Sequence, residues 1–243
     1  MTGYPTYLRY ELLRTVRNWR FLIFSLIFPL VLLLAVGGSN RHVQLDGISF
    51  PLYYMTGMAA WGSMGAVVAS GARIAAERQA GWTRQLRITP LRTSSYFRAK
   101  VVAGYLMAVL SLAVLYVAGA ALGVRLAVGG WILMTALILV GLVPFAVLGI
   151  ALGHVLRPET LGPALGGITS LFALLGGAWG PLLRGGALLD IAQARPSYWL
   201  VQAGRAGMDH RVWSVEGWIV LALWSLVLGR LAVLAYRRDT GRV

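Results

Sequence analysis

The side chains that could do chemistry are few in this 243-residue chain, and none falls in a catalytic spacing. Its eight carboxylates are Glu11, Asp46, Glu77, Glu159, Asp190, Asp209, Glu216 and Asp239, all in loops or at the ends of apolar segments. No close acidic pair suggests glycosyl transfer, a di-metal site or a proton relay. His42, His154 and His210 are each isolated, without HExxH or comparable ligand spacing. His154, beside Arg157, reads as an interfacial residue. Cysteine is absent, which removes disulfides, thiolate metal sites and a Cys nucleophile. No GxSxG elbow occurs. Lys100 is the sole lysine, and it lacks the glycine-rich turn before it and the Ser or Thr after it that a P-loop requires. The chain is therefore read as no enzyme and as holding no cofactor. Any ATP and magnesium it depends on must sit on another subunit.

What remains is a concentration of charge. From Arg73 to Lys100 lie seven basic residues, with the polar stretch ERQAGWTRQLRITPLRTSSYFRAK beginning at Glu77. Uncharged runs flank it, residues 47–72 and 101–124. Arg at a bilayer centre costs roughly 2.5–3.5 kcal/mol even on the lenient insertion scale. This stretch is therefore a water-facing loop at a membrane surface, and the place where another protein would grip the chain.

The composition demands the membrane. Hydrophobic residues make up 58% and charged ones only 12%, where soluble domains average about 25% charged, and mean hydropathy is +0.71. The net charge of +14 forms no continuous basic face, so nucleic acid is excluded as a partner. The arginine bias points to a GC-rich, bacterial genome. Six apolar runs approach the ~20 residues a bilayer needs: roughly 21–38, 51–75, 99–124, 131–156, 161–183 and 217–236. The positive-inside rule then places both termini in the cytoplasm of a multi-pass protein of the plasma membrane, with 15 Lys/Arg inside and six outside. Arg230 falls within the last run, where it either snorkels to the headgroups or makes a polar contact in the bundle or along a cargo path.

The elements that position the loop follow from this layout. Residues 4–20 form an amphipathic helix with Leu8, Leu12, Val16 and Trp19 on one side and Arg14 and Arg17 pointing away, suited to a layer of anionic lipid headgroups; a signal-peptide n-region is the alternative. Small-residue pairs four apart, Gly119/Gly123, Gly149/Gly153, Gly162/Gly166 and Gly176/Gly180, suit close packing of helices, within one chain or across a dimer seam. Pro29, Pro144 and Pro163 should kink their helices. The fifth run is broken by Gly176-Gly177 and Gly180-Pro181, and two short apolar pieces follow, about 186–194 and 196–205. They read as a re-entrant or interfacial helical hairpin within 184–216, with Trp199, Trp213 and Trp218 at the aromatic belt. The expectation is one all-α membrane domain, residues 1–243, with six transmembrane helices, an N-terminal interfacial helix over 1–20, a cytoplasmic loop over 77–98 and the outer hairpin.

This arrangement resembles the type-2 ATP-binding cassette (ABC) permeases, including the daunorubicin-type drug exporters. Two motifs carry the resemblance. One is Glu77-Arg78-x-x-Gly81-x-Thr83-x-x-Leu86-x-x-Thr89-Pro90-Leu91, in which Trp82 separates the glycine from the threonine. The other is Leu175-Gly176-Gly177 with Pro181, then Pro196-x-x-Trp199. The resemblance implies a coupling helix, cytoplasmic and between spans two and three, that docks on a separate ABC ATPase subunit. Glu77, Arg78, Gly81, Trp82, Thr83, Arg84, Leu86, Arg87, Thr89 and Pro90 would form it. Gly81 permits a tight turn, Trp82, Leu86 and Ile88 supply an apolar face, Arg84 and Arg87 charge its rim, and Pro90 ends it. Ser94 or Ser95 is expected to cap the third span. A second permease copy or paralogue would complete a cavity for a drug, antibiotic or lipid, lined by Phe24, Phe28, Trp61, Met64, Phe172 and Arg230. The rival reading is a six-span secondary transporter or channel.

Overall fold

The computed structural model describes residues 3–18, 23–45, 47–82, 85, 88–89, 91–180, 186–209 and 212–240. The apolar runs fold as helices. α1 spans Gly3–Val16. Next, π-helical turns at Ile23–Ile27 and Leu33–Gly37 flank α2 (Phe28–Leu32). Pro29 sits in α2, and the wider turns accommodate the hydrogen bond that its missing N–H removes. A short antiparallel hairpin follows, β1 (Gln44–Leu45) against β2 (Ile48–Ser49), which the apolar pattern did not signal. Then come α3 (Phe50–Ala72), α4 (Ile74–Gln79), α5 (Thr93–Ala121), α6 (Val128–Gly141) and α7 (Val143–Val155), with α6 and α7 meeting just before Pro144. The chain continues through α8 (Pro158–Gly176), α9 (Ala187–Gln193), α10 (Pro196–Asp209) and α11 (Val215–Thr240).

Among the described residues, three helical stretches are long and apolar enough to cross a membrane: Thr93–Ala121, Val128–Val155 and Val215–Asp239. The other expected spans are occupied by a shorter apolar helix, Ser25–Gly37, by α3 and by α8. The protein is thus all-α in architecture, a multi-pass membrane protein.

α3 is the axis. Its sequence is apolar or small on every side, the pattern of a helix surrounded by protein. Met55, Met58, Ala59, Met64 and Val68 are buried in a core shared with Leu112 and Leu115 of α5, Met134 and Ile138 of α6 and Phe145 of α7. α3 and α7 cross with almost no side chain between them. A Cβ on Gly71 would stand 2.6 Å from the Gly149 backbone, and one on Gly149 2.4 Å from the Val68 carbonyl. The Gly149/Gly153 pair therefore packs within the chain. A Cβ added at Gly162 or Gly166 on α8 would meet nothing within 4 Å among the described residues.

Contacts divide the bundle into two ends. At one, α1, α4, the start of α5, the end of α7, the start of α8 and the end of α11 come together. At the other, Arg205 of α10 reaches the Tyr53 hydroxyl (2.6 Å) and the Gly177 carbonyl (2.8 Å).

α1 turns Glu11 and Thr15 inward, whereas Leu13 and Val16 are exposed, because partners for those polar groups wait in the bundle. Two expectations need correction. Ser94 and Ser95 do not cap the third span. α5 begins at Thr93 with Arg92 in the cap position and no side-chain capping bond, because the helix starts six residues before the apolar run does. Trp199 and Trp213 are buried because their indole N–H groups donate to the carbonyls of Gln193 and Trp199. Trp218 alone of the three is exposed.

Candidate functional site

α4 is a six-residue helix carrying adjacent residues of opposite charge. Successive side chains on a helix diverge by about 100°, so Glu77 and Arg78 reach into different parts of the bundle.

Glu77 points inward. It accepts hydrogen bonds from the Tyr96 hydroxyl (2.6 Å), Arg14 Nη1 (2.7 Å) and Lys100 Nζ. Lys100 Nζ also donates to Glu11 Oε1 at 2.6 Å. The three ions are 2%, 1% and 4% exposed for Glu77, Lys100 and Glu11, so nearly all their solvation comes from one another. Burial pushes the Glu77 carboxyl up, but Lys100, helped by Tyr96 and Arg14, holds it below the usual carboxylate range. Burial pushes the nearby Tyr7 hydroxyl up, and Glu11 and Glu77 reinforce the shift. Arg73, between α3 and α4, donates to Thr15 Oγ1 at 2.9 Å. Glu77 thus ties α4 to α1 and α5.

Arg78 points the other way. Its Nη2 pairs with Asp239 Oδ1 of α11 at 2.6 Å. Its Nη1 donates to the carbonyls of Gly153 (3.1 Å) and His154 (2.8 Å), two acceptors left open at the end of α7. His154 Nδ1 lies 3.1 Å from Asp239 Oδ2, with the ring edge-on to Phe97 and Tyr236. Gln79 donates to Glu159 of α8 at 3.0 Å. One short helix is therefore bonded to five others.

Beyond it the chain turns. Gly81 has φ 73°, a left-handed conformation that glycine adopts without strain. Trp82 is 38% exposed and Ile88 88% exposed, and Gln85 and Thr89 are exposed too. Thr83, Arg84, Leu86, Arg87 and Pro90 lie outside the described residues.

Among the described residues, the expected cargo-path side chains are spread over several helices. Phe28 is half exposed and meets Trp61 edge-on at 5.6 Å, and Trp61 meets Trp179 at 5.3 Å. Met64 is 1% exposed and belongs to the core. Phe172 packs on Phe145, and Arg230 is exposed on α11. The side chain of Phe24 lies outside the described residues.

The sequence reading found Glu77 and Arg78 but not their partners. Glu11 and Lys100 are 89 positions apart, and only the fold brings them together. The available signal was a lone lysine at the mouth of an apolar run, with no role assigned. Among the described residues, no group of three or more His, Cys, Asp or Glu could hold a metal. The described part of the site is a cluster of ion pairs and hydrogen bonds that links α4 to its neighbours.

Known proteins share this sequence pattern. The chain is 29% identical over 191 residues to YvfS of Bacillus subtilis (strain 168), whose name describes it as a transport permease; the match covers 77% of this chain and 78% of that protein. The profile of the ABC-2 type transporter matches residues 4–208, from the first turn of α1 to the end of α10. The chain therefore belongs to the ABC-2 type transporter family, as a non-enzymatic membrane permease whose family membership implies partnership with an ABC ATPase subunit.

Proposed function

We propose that this permease exports a hydrophobic or amphiphilic cargo, such as a drug, antibiotic or lipid, across a bacterial plasma membrane. ATP and magnesium bound on a separate subunit supply the energy. Lys100 is committed to Glu11 and Glu77, which supports placing nucleotide chemistry elsewhere. The ATPase grips the segment that follows α4, with Trp82 and Ile88 as apolar contacts.

The observation that carries this reading is the double anchorage of α4 beside an exposed apolar turn. A push on Trp82–Ile88 passes through Gly81 into a helix that cannot move alone. Glu77 hands the displacement to α1 and α5, and Arg78 hands it to α7 and α11. Glu77 and Arg78 then act as transmitters within the chain rather than as contacts of the docking surface, which falls to the residues after Gly81. Six crossings with both termini in the cytoplasm agree with the 15 inside basic residues. A second copy completes the pathway. The open Gly162/Gly166 face of α8 and the exposed Phe28 are where it is expected to meet this one.

The test is Trp82→Ala with Ile88→Asp. Both residues are exposed, so the chain should keep its thermal stability while losing co-purification of the ATPase and ATP-driven uptake of cargo into inverted vesicles. Unchanged co-purification and uptake would remove the coupling role from this segment. Uptake that persists without ATP and stops when the proton gradient is collapsed would favour a secondary transporter.

A further inference from the structure

Between α1 and the α3–α4 junction lies an open groove of ≈ 650 Å³, lined among others by Tyr10, Leu13, Arg14, Arg17, Asn18 and Arg73. Among the described residues its charge is not balanced. Four cations, Arg14, Arg17, Arg73 and Lys100, gather in and behind it with two carboxylates, Glu11 and Glu77, and Lys100 bonds both carboxylates on the buried side. A guanidinium carries five N–H donors. The bonds of Arg14 to Glu77 and of Arg73 to Thr15 each use one nitrogen. Arg14 remains 52% exposed in its side chain, and Arg17 is exposed at the rim.

The second feature is the wall. Tyr10 is 66% exposed and Leu13 49% exposed on the outward side of α1, immediately beside the arginines. A groove with forked cationic donors at its base and an apolar side fits a ligand built the same way, with oxyanion and hydrocarbon joined. We infer that this groove binds the phosphate headgroup of an anionic phospholipid, with Arg14, Arg17 and Arg73 on the phosphate oxygens and Tyr10 and Leu13 along the start of the acyl chains. Free phosphate has the same oxyanion but would leave Tyr10 and Leu13 without a role. The inference rests on the proposed position of α1 at the cytoplasmic membrane surface, where such lipids are at hand.

Native mass spectrometry of the full chain in detergent tests it, with phosphatidylglycerol, phosphatidylcholine of equal chain length and inorganic phosphate as probes. Phosphatidylglycerol should bind at least about fivefold more tightly than phosphatidylcholine, the contribution of one arginine near an anionic surface. Arg17→Glu should abolish that preference, and Leu13→Asp should weaken phosphatidylglycerol without changing phosphate. Equal retention of the two lipids, or a preference that survives Arg17→Glu, would overturn the site. Displacement of phosphatidylglycerol by millimolar phosphate, unaltered by Leu13→Asp, would make it a free-anion site and overturn the lipid assignment. No ATPase is needed for the measurement, so its failure leaves the coupling reading intact. Loss of coupling in the Trp82/Ile88 variant would likewise leave lipid preference untouched.

Discussion

Lys100 is the only lysine among 22 basic residues, and it holds two buried carboxylates that would otherwise repel each other. Replacing it with methionine leaves Glu11 and Glu77 buried without their shared cation. Breaking a buried ion cluster in this way costs about 3–5 kcal/mol, so Lys100→Met should lower the melting temperature of the purified protein sharply. Adding Glu11→Gln and Glu77→Gln to that variant should recover much of the loss. An unchanged melting temperature in Lys100→Met alone would mean that the cluster is not formed. The pH dependence has a definite sign. A carboxyl held below its unfolded value stabilises the fold above that value and loses the contribution as pH falls through the folded one. Stability should therefore drop below about pH 4, near the ordinary glutamate range, and the drop should be shallower in Glu77→Gln. Glu77 and Arg78 were legible as a motif in the sequence because they are neighbours. The partnership of Lys100 with Glu11 was not, because a separation of 89 residues leaves no periodicity to read.

Helices were more legible than their faces. Hydropathy located the apolar runs well, since burying or embedding twenty apolar residues leaves the backbone little choice but a helix. It gave an apolar side for α1, suited to the headgroup layer, but not the polar side that meets the bundle. Glu11 and Thr15 turn inward because Lys100 and Arg73 wait there as partners. The end of α11 tests the opposite anchor. Asp239 receives both Arg78 and His154, and hydrogen bonds to charged groups contribute about 1.5–3 kcal/mol. Asp239→Ala should speed amide hydrogen exchange in the last turns of α7 and α11 and leave the Arg205 end of the bundle unaffected. If both ends loosen together, the anchor is not local.

At the scale of the whole molecule, the open small-residue face of α8 makes a prediction about assembly. Gly162→Leu with Gly166→Leu adds side chains where nothing stands within 4 Å, so the single chain should melt as before. The fraction of dimers trapped by cross-linking in membranes should fall. A constant dimer fraction would place the seam on another surface. The glycine spacing was visible in the sequence for four pairs, yet only the fold separates Gly149/Gly153, spent on α3, from Gly162/Gly166.

Glu11 near the head of the chain, through Lys100 and Glu77, and Asp239 near its tail, through Arg78, are both tied to one six-residue helix. Head and tail consequently emerge from the same end of the bundle. Two copies can then be joined in one polypeptide by an ordinary water-soluble linker, with no additional crossing to restore polarity. In such a tandem protein, one half can carry a broken ion-pair cluster while the other stays intact, so the number of intact clusters that transport requires could be counted directly.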